Sequence, residues 1–132
     1  MAFMNIQLDG TTYRVRVEYD TYIESFRLVE GINAGDMISN RHERDLSGTA
    51  STYEMLVRAD PRYPLDFDSF FSTIRSPVDS HLVTVYDGQG LLTYESMIQG
   101  GSRILKGTVG GIRRWDVCPV QFVPLAPQWK AQ

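Results

Sequence analysis

The segment Arg113–Pro127, RRWDVCPVQFVPLAP, constrains the fold most. Its valines, Trp115 and Phe122 put apolar side chains on both faces of an extended strand, read as Ile112–Val123. Pro119 lies inside that strand and has no backbone donor. The strand must therefore run at a sheet edge or carry a bulge there. Pro124 and Pro127 then force residues 124–132 into an extended tail. A chain that ends this way needs other strands to cover both faces.

The remaining sequence supplies them. Met4–Leu8 reads as a strand, and Asp9-Gly10 as a two-residue turn. Beyond it Tyr13, Val15, Val17 and Tyr19 alternate with Arg14, Arg16 and Glu18, the pattern of a half-buried strand. Tyr22–Val29 has strand composition with weaker alternation. Gly31–Asn40, GINAGDMISN, has the glycines, asparagines and Asp36 of a loop. Glu43–Ala59 reads as one long strand. Tyr53, Met55 and Val57 confine its apolar stripe to the second half, while Ser47, Thr49 and Ser51 leave the first half polar. That half either projects from the core toward another subunit or is simply a wet strand.

Leu65–Ser76 is the helix candidate. Pro64 suits its first turn, Asp66 and Asp68 suit the positive end of its dipole, and Leu65, Phe67, Phe70, Phe71 and Ile74 make an apolar stripe. Ser76-Pro77 stops it. His81–Tyr86 and Leu91–Ile98 form a hairpin around Asp87-Gly88-Gln89-Gly90. The glycine-rich stretch from Gly100 to Gly111 reads as a loop or a bent strand edge. The expected fold is mainly β (α+β): an antiparallel β-sandwich or barrel with one short flanking helix at 65–76. Residues 1–132 form one domain, with a protruding arm at about 31–51 and the tail 124–132.

Chemistry-bearing residues are sparse. A net charge of −3 gives no drive toward nucleic acid or anionic lipid. The local basic groups Arg41, Arg44 and Arg113, Arg114 read as solvated faces. Cys118 is the single cysteine, so neither an internal disulfide nor a four-cysteine zinc site is available. No secretory signal pattern and no apolar run of membrane-spanning length is present, and a cytoplasmic site of synthesis is expected. His42 and His81 lie on different strands without metal-ligand spacing. Gly88-Gln89-Gly90 sits in a hairpin rather than before a helix, so it lacks the amide array that holds phosphate. Asp60, Asp66, Asp68 and Asp79 gather loosely near the helix, where capping and solubility account for them. No catalytic residue, cofactor or metal site is expected.

Taken in order, LDGTTYRV, RDLSGTASTYEM, PLDFDSFFSTIRSP, HLVTVYDGQGLLTYESM and RRWDVCPVQFVPLAP resemble the small structural proteins of bacteriophage tails, the tail-tube and distal-tail-like β-barrel group. Tail terminators, tail-completion factors and baseplate adaptors are similar in the same way. The resemblance implies a non-enzymatic virion protein that assembles with itself as a ring, often sixfold, and with other tail proteins. It also implies that long loops reach neighbouring subunits. Here that assigns inter-subunit contacts to Ile32, Asn33, Asp36, Met37, Ile38, Arg41, Arg44 and Leu46.

A second reading needs no oligomer. Phe26, Tyr53, Met55, Phe70, Phe71, Tyr94 and Trp115 could line a small barrel that binds an apolar ligand, or could simply fill its core. An enzyme is the weakest reading, because neither histidine has an evident partner.

Overall fold

The structure is a computed structural model that describes residues 2–30, 35–36, 42–43 and 46–130. Strands β1 (Ala2–Leu8) and β2 (Thr11–Val17) form the first hairpin. Its turn places Asp9 and Gly10 at φ 52° and 84°, the two positive angles of a type I′ turn. Asp9 tolerates this conformation because its carboxylate has partners. Oδ1 accepts the Leu82 N–H at 2.8 Å, and Oδ2 lies 2.7 Å from His81 Nδ1. The turn is thereby tied to a strand more than 70 residues away.

The chain continues through β3 (Ile23–Glu30), β4 (Gly35–Asp36), β5 (His42–Glu43) and β6 (Leu46–Ala59). It then forms α1 (Pro64–Ile74), β7 (His81–Asp87), β8 (Gly90–Met97), β9 (Leu105–Val109), β10 (Ile112–Trp115), β11 (Cys118–Pro124) and β12 (Trp129–Lys130). Six strands close on themselves in the order β1, β2, β6, β11, β8, β7, all antiparallel. Closure removes the free edges that an open sheet would present. The fold is thus a small antiparallel barrel, one of the two architectures expected.

Alternation explains the core. Tyr13, Val15 and Val17 from β2 meet Tyr53, Met55 and Val57 from β6 inside the barrel, all buried. Ile6, Leu8, Val83, Val85, Val120 and Phe122 complete it. Tyr19 does not join this face. The sheet ends at Val17, Asp20 turns the chain at φ 61°, and Tyr19 is exposed. Helix α1 packs on β2 and β6 through Phe67, Phe70 and Ile74. It ends at Ile74 with Arg75 as its cap, somewhat short of the expected Ser76.

Three of the carboxylates around the helix, Asp60, Asp66 and Asp68, make ion pairs, and of these only Asp66 also lies in the helix's first turn. Tyr63 occupies the N-cap without a side-chain hydrogen bond. Asp66 instead takes a two-pronged contact from Arg14 of β2, at 2.9 and 3.3 Å, and also accepts the Arg14 N–H. Asp60 is fully buried and accepts the Arg62 backbone N–H and guanidinium, with Arg16 at 3.7 Å. These partners hold Asp60 and Asp66 below the usual carboxylate range, and the hydrogen bond to His81 does the same for Asp9. A lowered folded-state pKa contributes stability above the unfolded value of about 4, and that stability is lost as pH falls through the folded value. Urea midpoints should therefore hold between pH 7 and about pH 4 and drop below it. Asp60→Asn should flatten part of that drop, and an unchanged acid profile would refute this role.

The closing strand differs from its expected form. It breaks at Asp116 and Val117 into β10 and β11, which belong to different sheets. Although β11 pairs with both β6 and β8, at Pro119 only β6 is beside it, so the proline occupies a local edge as expected. It stands opposite Leu56, whose N–H goes to Thr21 Oγ1 and whose carbonyl accepts the Glu18 N–H. This is therefore a non-hydrogen-bonded pair, and the missing donor faces away from β6. The β8 pairing begins only at Val123, so no ladder bond is lost. The glycine-rich stretch is not a loop alone: Gly110 and Gly111, at φ 59° and 78°, turn β9 into β10.

Candidate interaction surfaces

Two surfaces outside the barrel carry apolar side chains without cover. The first is an arm. The first half of β6 leaves the barrel with β3 on one side and β12 on the other. Cross-strand register puts Glu24, Phe26 and Leu28 on the same face as Tyr53, Ser51 and Thr49. Thr49 is also opposite Trp129. Phe26 is 68% exposed, Leu28 41% and Trp129 40%, so this face continues the barrel's inner surface outward with no described residue covering it. The reverse side of β3 carries Ile23, Ser25, Arg27 and Val29, mostly exposed as well. An uncovered two-sided ribbon is costly in water unless something packs on it.

The tail fixes the arm. Within the extended tail, β12 pairs with Thr49 and Gly48 of β6. The Gln128 side chain replaces a rung of the ladder: its Oε1 accepts the Ser51 N–H at 2.9 Å, and its Nε2 donates to the Ser51 carbonyl at 2.8 Å. Glycine is required at 48 because a Cβ there would lie 2.4 Å from the Trp129 carbonyl oxygen and 2.9 Å from Pro127 Cβ.

The second surface is a cleft of 370 Å³ between α1 and the β9–β10 hairpin. Pro61, Pro64, Phe67, Val109, Ile112 and Trp115 supply its apolar lining. A shallower groove continues from it past Leu65, which is 74% exposed. Arg103 holds the two walls together. Its guanidinium lies 4.0 Å from the Trp115 ring centre and 4.3 Å from that of Phe71, and it pairs with Asp68 at 2.7 Å. Lys106, Arg113 and Arg114 stand at the rim, exposed and without an ion pair to any described residue.

Of the contacts expected between subunits, Ile32, Asn33, Met37, Ile38, Arg41 and Arg44 lie outside the described residues. Asp36 falls in β4, inside the stretch read as a loop, and β4 pairs with β5 just beyond that stretch as a short two-stranded sheet. Glu43 belongs to β5, so the long strand begins at Leu46. Leu46 opens β6 opposite Glu30, beside a bulge at Ser47 of β6, and is 39% exposed. The arm therefore includes β3, which the sequence pattern did not single out.

The seven residues proposed to line a ligand cavity do not share one. Tyr53, Met55 and Phe70 are packed into the core. Tyr94 stacks against Tyr53 at 6.0 Å and donates its hydroxyl to the Phe122 carbonyl. Phe71 lies at the edge of the core, Phe26 is on the arm, and Trp115 is in the cleft. Cys118 is buried, and burial pushes its thiol up, the opposite of what a nucleophile needs. His81 is buried beside Asp9. The chain matches no family model, and no curated protein is similar enough to count as a relative.

Proposed function

We propose that this protein is a non-enzymatic structural component of a bacteriophage tail that assembles with itself into a ring. The observation that carries the self-assembly is the arm. A three-stranded ribbon extends from a closed, filled barrel and presents Phe26, Leu28 and Trp129 to solvent. Apolar side chains arrayed on a rigid ribbon are matched to protein partners rather than to small molecules. The barrel interior, packed with Tyr53, Met55 and Phe122, gives less support to a ligand-binding role. The tail assignment rests on the order of segments in the sequence together with this barrel-and-arm form. A ring of the tube, distal-tail or baseplate-adaptor type is the expected assembly, with a hexamer as the first candidate.

Light scattering on the purified chain over a range of concentrations tests the assembly. The expected mass is a discrete multiple of the 15.0 kDa protomer. Phe26→Asp combined with Leu28→Asp should return it to the protomer mass while leaving the circular dichroism spectrum unchanged. A chain that is monomeric at every concentration would overturn the reading.

A further inference from the structure

We propose that the cleft between α1 and the β9–β10 hairpin is the acceptor for the arm of a second copy of this chain, so that protomers join head to tail. This rests on the self-assembly reading above and adds the contact that would build it.

The two surfaces are unlike in shape and opposite in charge. The arm offers a projecting edge, with Phe26 and Leu28 two residues apart on one face and, before them on that face, Glu24, whose carboxylate accepts the neutral Ser51 hydroxyl and so keeps its negative charge. The cleft offers a concavity floored by Phe67 and walled by Val109, Ile112 and Trp115, with three exposed cations at its rim besides the ion-paired Arg58. Lys106, Arg113 and Arg114 have no acidic partner among the described residues of their own chain. Nearby acids are committed elsewhere: Asp68 to Arg103, Asp66 to Arg14, and Asp116 near Arg58. The positive rim is therefore left for carboxylates that come from outside the protomer. Charge complementarity of this kind steers encounter and sets register, while the apolar anchors provide the affinity.

The hairpin is built as a fixed wall rather than a loose flap. Arg103 links it to the helix through Asp68 and the rings of Phe71 and Trp115, and the Asp116 N–H donates to the Ile104 carbonyl across its base. A preformed cleft costs less to fill than one that must first order. Because arm and cleft are different patches, the contact is heterologous. Repeating it gives a ring when the rotation closes and a filament when it does not. An arm-to-arm contact would instead stop at a twofold dimer.

Subunit mixing separates these cases. One variant carries Arg113→Glu and Arg114→Glu, with its arm intact. The other carries Phe26→Asp and Leu28→Asp, with its cleft intact. Each should be folded and monomeric alone by circular dichroism and light scattering. Mixed in equal amounts, they retain one productive pairing and should give a species of twice the protomer mass that grows no further. Adding Glu24→Arg to the cleft variant should restore part of the wild-type assembly, a rescue that a misfolded cleft would not show. If wild type assembles and the cleft variant assembles equally well, the acceptor assignment is overturned while self-assembly stands. If wild type itself stays monomeric, both fall.

Discussion

Phe70→Ala should cost this protein about 3–5 kcal/mol of folding stability, the range for removing a buried aromatic side chain. Phe70 has no exposed surface and meets Tyr13 edge to face, with ring centres 5.9 Å apart at 74°. It projects from the helix against the barrel, whose strands cannot close in to fill the space. Hydrogen bonds hold the helix from both sides of that contact: Tyr13 with Thr73 at 2.8 Å, and Arg14 with Asp66. The cavity would therefore persist rather than collapse, which places the cost toward the upper end. Since a domain of this size has roughly 5–15 kcal/mol in total, the variant should be near the edge of folding at 37 °C. Phe71→Ala, on the next residue at the margin of the core, should cost clearly less. Equal urea midpoints for the two variants would show that the helix does not seal the barrel through Phe70.

The contrast between those neighbours was legible in the sequence only in part. The helical stripe of Leu65, Phe67, Phe70, Phe71 and Ile74 contained the buried face, of which Phe67, Phe70 and Ile74 are buried and Leu65 is exposed, and the alternation of Tyr13, Val15 and Val17 gave the barrel wall. Both signals are periodic, and periodicity survives in a single chain. Closure of the sheet is not periodic. It depends on β11 reaching both β6 and β8, a pairing between distant segments that no local pattern announces. The break at Asp116 and Val117 was hidden because β10 and β11 have the same strand-like composition although they join different sheets. Phe26 and Leu28 escaped notice as surface residues for a related reason: alternation marks them as sharing a face, but only the register with β6 shows that this face lies beyond the barrel's cover. The cleft was missed because Phe67, a core residue, also forms its floor, and because Arg113 and Arg114 looked like solvated charge. Its walls come from separate parts of the chain, and Arg103 brings them together.

Gly48→Ala should displace the C-terminal strand and, through it, weaken assembly. The added methyl would sit 2.4 Å from the Trp129 carbonyl oxygen, a backbone atom that cannot rotate away. Either β12 leaves β6 or the arm bends. Release is the smaller change, because β12 pairs at only Thr49 and Gly48 and ends the described chain. Losing that pairing together with the Gln128 bonds to Ser51 removes several hydrogen bonds of about 1 kcal/mol each. Amide exchange at Ser51 and Trp129 should then speed up at least tenfold, while the barrel amides of β1 and β7 keep their protection. The thermal midpoint should move little, since the barrel core does not include β12. Assembly should respond differently: Trp129 shares the exposed face of Phe26 and Leu28, and its departure removes one of the anchors and loosens the strand beneath the other two. A stable barrel with fast exchange at Ser51 and a reduced assembled mass is the expected result. Wild-type exchange at Ser51 would mean that the arm bends instead, and full assembly despite a released tail would confine the contact surface to β3.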